Sequence, residues 1–259
     1  MITQKNKQNI QDMHEGGKIL SSILDKLIEG VAPGMSTISL DTKAHDAIIA
    51  LGCKPAFLGL YGFPGTVCIS VNDEVVHGVP NTKILRKGDL LSLDIGLIYK
   101  GWYLDMAKTI PVLGEQSFDD WAEEDPMAAR LIQVTEKSLK AAIAICKPGI
   151  TTGDIGSTIQ AVVESAGFGI VKDLAGHGIG KKLHEDPLVE NWGKPGNGFR
   201  LKEGMTIAIE PIVTEGSTQV RILKDGFTYA TKDGKRAAHF EHTIAITEEG
   251  CIVLTERET

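Results

Sequence analysis

Cysteine is scarce in this 259-residue chain: Cys53, Cys68, Cys146 and Cys251 are the only four, and none stands in a CxxC spacing. That excludes a disulfide framework and points to reduced thiols in an intracellular protein. Positive charge is also short. With 27 Lys and Arg against 34 Asp and Glu, the net charge is −7, which speaks against nucleic acid as a main ligand because phosphate recognition needs a basic face. No run approaches the roughly 20 apolar residues of a membrane span. The opening segment, Met1 to Asn9, is polar and lacks the apolar centre of a secretory signal. The expectation is a cytoplasmic protein with no membrane partner. What is present is ordinary for a soluble domain, 42% hydrophobic and 24% charged. A chain this long buries roughly three-quarters of its unfolded surface as one large domain.

Met13, Ile19, Leu20, Ile23, Leu24, Leu27 and Ile28 form a helical stripe between Ile10 and Glu29, with Gly30 as a stop. Val31-Ala-Pro-Gly-Met-Ser-Thr follows, then a second helix to about Leu51 and Gly52. The pattern recurs: Cys146-Lys-Pro-Gly-Ile-Thr-Thr opens a helix that stops at Gly167, and Pro33, Gly34, Thr37 and Gly52 match Pro148, Gly149, Thr152 and Gly167 at one constant offset. Leu85-Arg-Lys-Gly-Asp-Leu-Leu-Ser-Leu-Asp94 likewise parallels Leu201-Lys-Glu-Gly-Met-Thr-Ile-Ala-Ile-Glu210. An internal duplication explains this, with half-repeats at about 10–113 and 127–255 inside a single unit spanning 1–259. It pairs Asp94 with Glu210. Between the halves, Gly114 to Pro126 is acidic and turn-rich and is expected to be a surface connection.

Asp94, Asp105, His177, Glu210 and Glu241 lie in segments that read as apolar strands. Ionised carboxylates are costly in buried strands unless something positive neutralises them. Oxygen and nitrogen donors without thiolate suit two divalent cations. Two strand-like runs, Asp89 to Ile98 and Trp102 to Val112, flank a turn at Tyr99-Lys100-Gly101. A turn on Tyr99-Lys100 would set Asp94 directly opposite Asp105, a repulsive pair without a counter-ion. Met205 to Val213 and His239 to Thr247 read as a second pair of strands, with Pro211 bending the first beside Glu210. Glycines around His177 permit close approach to a cation. His77 and His184 are open to two readings, further ligands or hydrogen-bonding groups beside the metals, and the second fits better. His14, His45, His239 and His242 are expected to be surface or local structural residues.

With these motifs the chain resembles the type I methionine aminopeptidases. The resemblance rests on Phe63-Pro-Gly-Thr-Val-Cys-Ile-Ser-Val-Asn, Val76-His-Gly-Val-Pro, Leu93-Asp-Ile-Gly, Ala175-Gly-His-Gly-Ile-Gly with His184-Glu-Asp-Pro, Ile209-Glu-Pro and Phe240-Glu-His-Thr. It implies an α/β pita-bread fold, two half-domains around a pseudo-twofold with central antiparallel sheets and outer helices. It further implies two divalent ions (Co, Mn, Fe or Zn) on Asp94, Asp105, His177, Glu210 and Glu241, with His77, His184 and Glu210 catalytic. By position, Phe57, Leu60, Phe63, Cys68, Leu183 and Phe227 would line an apolar pocket for a methionine side chain, with Leu60 and Leu183 where aromatics are frequent. The implied activity is removal of the N-terminal methionine from peptides and nascent chains, with the ribosome as a transient partner and a monomeric enzyme. Xaa-Pro peptidases, which share the fold and ligands, and a non-catalytic binding module are the alternatives.

Overall fold

The structure is a computed structural model describing residues 3–256. Residues 1–2 and 257–259, which belong to the polar N-terminus and to the ends of the span 1–259, lie outside the described residues. Helices α1 (Lys7–Glu29) and α2 (Thr37–Ala50) lead into β1 (Lys54–Pro55), β2 (Val67–Val71), β3 (Glu74–Val76), β4 (Leu90–Tyr99) and β5 (Trp102–Pro111). Next come α3 (Phe118–Glu124), α4 (Pro126–Ala144), α5 (Thr152–Ser165), β6 (Gly169–Ile170), β7 (Ala175–Gly178) and β8 (Glu185–Glu190). The chain closes through β9 (Thr206–Ile209), β10 (Ile212–Thr214), β11 (Val220–Ile222), β12 (Tyr229–Thr231), β13 (Ala237–His239), β14 (Glu241–Ile246) and β15 (Cys251–Val253).

The repeat seen in the sequence recurs in the elements. Both ends of α2 reappear 115 positions later as the ends of α5, and the end of α1 reappears as that of α4. The caps match as well. Ser36 and Thr151 each accept the backbone N–H of the residue three positions on, which satisfies one orphan donor of the first turn. Each cap residue also makes an isolated antiparallel bridge, to Ile84 and to Arg200. Gly34 and Gly149 precede them with φ of 91° and 97°, backbone that favours glycine.

Nine strands form the main sheet, in the order β1-β4-β5-β14-β9-β7-β8, with β2 added to β4 and β15 to β14. Because successive side chains alternate faces, the register assigns the site to one face. Asp94 and Glu241 both stand opposite Ala107. Asp105, two residues from Ala107, shares its face. His177 stands opposite Ala208, and Ala208 opposite Thr243, which lies two residues from Glu241. The opposite face of β4 carries Leu91, Leu93, Ile95 and Leu97, all fully buried with Leu20 and Leu24 of α1. A second core gathers Ile207, Ile209, Ile244 and Ile246 with Leu131, Leu139, Ile155 and Ile159 of α4 and α5. The two cores join through the ladder between β5 and β14.

Two expectations are corrected and a third is filled in. The hairpin turn falls on Lys100-Gly101, where φ values of 48° and 77° fit a type I′ turn. Asp94 therefore stands opposite Ala107, and Asp105 opposite Gly96. Sliding a two-residue turn by one position changes the pairing but not the face, so the two carboxylates remain diagonal neighbours. The runs 205–213 and 239–247 are each broken, at Glu210-Pro211 and at Phe240. Their halves belong to different sheets, β9 with β14 and β10 with β13. Proline has no N–H to continue a ladder, which accounts for the first break. The acidic connection between the halves contains α3, capped by Ser117 and anchored by the buried Trp121.

Candidate active site

A cavity opens over the shared face of β4, β5, β14, β9 and β7. Asp94, Asp105, His177, Glu210 and Glu241 form its floor, and its walls are Phe57, Leu60, Tyr61, Phe63, Cys68, His77, Leu183, His184 and Phe227. Every residue singled out in the sequence as a ligand, a catalytic group or a pocket residue thus meets in one space. Edge-to-face packing of Phe63 on Phe227, centroids 5.5 Å apart, holds part of the apolar wall.

An oxygen of Asp105, a ring nitrogen of His177 and an oxygen of Glu241 lie within 4.8 Å of one another, an arrangement able to hold a metal ion. Glu210 Oε1 is 3.6 Å from His177 Nε2. Nδ1 of His177 lies 3.0 Å from the carbonyl of Gly178. A carbonyl only accepts, so Nδ1 carries the proton and Nε2 presents its lone pair to the carboxylates. Thr243 ties the floor together, its hydroxyl donating to Asp105 O and accepting from Asp105 N.

The electrostatics of this floor call for a cation. Burial pushes Asp94 up to about 7. Asp105, Glu210 and Glu241 are driven well above the carboxylate range, by burial first and then by the charges of their acidic neighbours. Among the described residues, Asp94 Oδ1, Asp105 Oδ1 and Glu241 Oε1 are buried without any hydrogen-bond partner. Buried acceptors left unmatched are destabilising. A divalent cation supplies what these oxygens lack, and a donor set of four carboxylates and one imidazole fits hard or borderline divalent ions. The histidines are held neutral. Burial, with His184 adding a smaller effect, lowers His177 and His77 to about 4, and burial also lowers His184.

His184 packs edge-on against His177 at 4.5 Å and stacks parallel to the exposed ring of Tyr61 at 6.0 Å. His77, at a left-handed φ of 56°, packs edge-on against Tyr229. Two residues at the site were not assigned to it from the sequence. Tyr61, 78% exposed, stands at the mouth. His239, expected to be local or on the surface, is instead buried, with Nε2 3.7 Å from Glu210 and 3.9 Å from Glu241. Its two-residue spacing from Glu241, the period of one strand face, was the available signal. His45 and His242 have local roles, contacting Thr66 and Thr255.

Four strands and the link after β9 bring buried acids and a neutral imidazole into one candidate metal site within a mixed α/β fold, the arrangement of a class of metallohydrolase. The model of the metallopeptidase family M24 matches residues 11–248, and the chain belongs to that family. It is 44% identical over 258 residues to the methionine aminopeptidase of Mycoplasma capricolum, covering 100% of both chains. It is also 44% identical to methionine aminopeptidase 1 of Bacillus subtilis, with 98% of this chain and 99% of that one covered. The crystal structure of methionine aminopeptidase from Thermotoga maritima superposes with a TM-score of 0.92 at 42% identity and full coverage of both chains. The prolidase of Pyrococcus horikoshii is more distant, with a TM-score of 0.75 at 25% identity over 98% of this chain and 64% of its own. The expected pita-bread fold is the one these relatives share.

Proposed function

We propose that this chain is a dimetal aminopeptidase that removes the N-terminal methionine from peptides and nascent proteins, working as one catalytic unit with half-repeats at about 10–113 and 127–255. One observation carries the reading: a floor of buried, unmatched carboxylates opens directly onto an apolar wall of Phe57, Phe63, Leu183 and Phe227. The relatives named methionine aminopeptidase, similar over their full length, support the same substrate. Asp94, Asp105, His177, Glu210 and Glu241 would hold two ions drawn from Co, Mn, Fe or Zn. Such ions polarise a carbonyl and make water a stronger nucleophile at neutral pH.

The remaining work falls to side chains. Glu210, its pKa raised by burial and by Asp94 and Asp105, takes a proton from water and delivers it to the leaving amine. His184, kept neutral by burial, donates an N–H to the scissile carbonyl, and His77 steadies the tetrahedral centre or the leaving nitrogen. Phe57, Leu60, Phe63, Cys68, Leu183 and Phe227 enclose the methionine side chain and exclude water from it. The reading includes a monomer acting in the cytoplasm, with the ribosome as a transient partner. No helix among the described residues is long and apolar enough to cross a membrane.

The test is methionine release from Met-Ala-Ser after loading with each metal in turn, beside an Ala-Pro peptide and a Glu210→Gln variant. Release from Met-Ala-Ser is expected, with at least a 100-fold loss in the variant, in the range general acid–base catalysis supplies, about 10²–10⁴-fold. Preference for Ala-Pro would transfer the chain to the prolidase-like activity. Full activity in Glu210→Gln would remove the proton carrier.

A further inference from the structure

Asn191 follows β8 and is 0% exposed. Its Nδ2 donates to the backbone carbonyl of Glu210 at 2.8 Å, while its Oδ1 has no partner among the described residues. A buried amide with one side unmatched is destabilising, and an apolar side chain of similar size avoids that. The carbonyl it serves is unusual. Glu210 lies where the chain leaves β9 for β10, between two sheets. The final rung of β9 on β14 is Ile209 with His242, and Pro211 removes the next N–H.

We propose that Asn191 is a positioning residue for Glu210. It fixes the peptide between Glu210 and Pro211 and so aims the carboxylate at His177 Nε2, 3.6 Å away, and at His239 Nε2, 3.7 Å away. The inference rests on the reading of Glu210 as ligand and proton carrier. Asn191 itself touches neither substrate nor ion. It acts through the backbone it grips.

The substitution Asn191→Leu removes the donor and also the unmatched oxygen. Its melting temperature is expected to equal or exceed that of the wild type. Release of methionine from Met-Ala-Ser is expected to fall in kcat by ~10–100-fold, the usual effect of losing a group that orients a ligand, with KM little changed. The acid limb of the pH profile should move, and calorimetric titration of the metal-free protein with Mn²⁺ should show one weakened site. Asn191→His keeps an N–H at the same bond distance from the backbone and should recover most of the activity. Should the leucine variant fold poorly, Asn191→Ala, smaller and equally without a donor, gives the same comparison.

Wild-type kcat, pH profile and Mn²⁺ affinity in the leucine or alanine variant would overturn the proposal. So would equal losses in the leucine and histidine variants with a lowered melting temperature, which mark a packing role. If the wild type itself releases no methionine, the proposed activity fails, and the Mn²⁺ titration still decides the role of Asn191.

Discussion

Asp94, Asp105, Glu210 and Glu241 are acids held where acids are least at ease, and their protonation links metal, pH and stability. In the metal-free protein each has a folded pKa raised above its unfolded value. Stability from such groups is present at low pH and is lost as pH rises through the folded pKa. His77 and His177 at about 4, and His239 at about 3, act oppositely. Their folded pKa values lie below the unfolded one, so their contribution grows as pH rises toward about 6.5 and then stays constant. The two sets offset each other below about 6.5, and above it only the carboxylates still titrate. The metal-free protein should therefore lose several degrees of melting temperature between pH 6.5 and 8.5, while the metal-loaded protein should not, since bound cations favour the ionised form and release protons. Parallel melting curves with and without a chelator check this. A constant gap across that range would remove the carboxylates as its source.

At the scale of elements, α1, α2 and α5 were legible because their stripes, caps and glycine stops are local. The constant offset between the halves exposed the duplication for the same reason. The candidate site was legible for a different one: charge is conspicuous in an apolar strand. What local pattern could not give was pairing. The turn at Lys100-Gly101, the sheet change at Glu210-Pro211 and the burial of His239 all depend on partners distant in the chain. Gly16 and Gly17 illustrate the limit. Two glycines inside a helix read as a weakness of about 1 kcal/mol each relative to alanine. In α1 they allow close approach: a Cβ on Gly16 would lie 2.8 Å from Tyr99 Cβ, and one on Gly17 1.9 Å from the carbonyl oxygen of Leu254. Gly17→Ala, stabilising in an open helix, should here be destabilising by roughly 1–3 kcal/mol. At ~2–4 °C per kcal/mol for a protein of this size, thermal unfolding resolves the sign.

Across the whole molecule, the site is a joint between the halves. Asp94 and Asp105 come from strands of the first, and His177, Glu210 and Glu241 from the second. The described ladder joining β5 to β14 is brief, Glu241 with Ala107 and His242 with Met106. Metal bound across that joint should fasten both halves. Single-tryptophan variants retaining Trp102 in β5 or Trp192 after β8 should show coincident urea midpoints, both raised by metal. A metal shift confined to one probe would show that the halves unfold independently. The face-sharing of Asp94, Ala107 and Glu241 has a last consequence. Strands in a ladder stand about 4.8 Å apart whatever their side chains, so the backbone acts as a gauge for the ligands mounted on it. Side-chain length then makes the fine adjustment, with aspartates on β4 and β5 and glutamates at β14 and beyond β9. A substitution that preserves charge but changes reach alters the centre as surely as one that removes the charge.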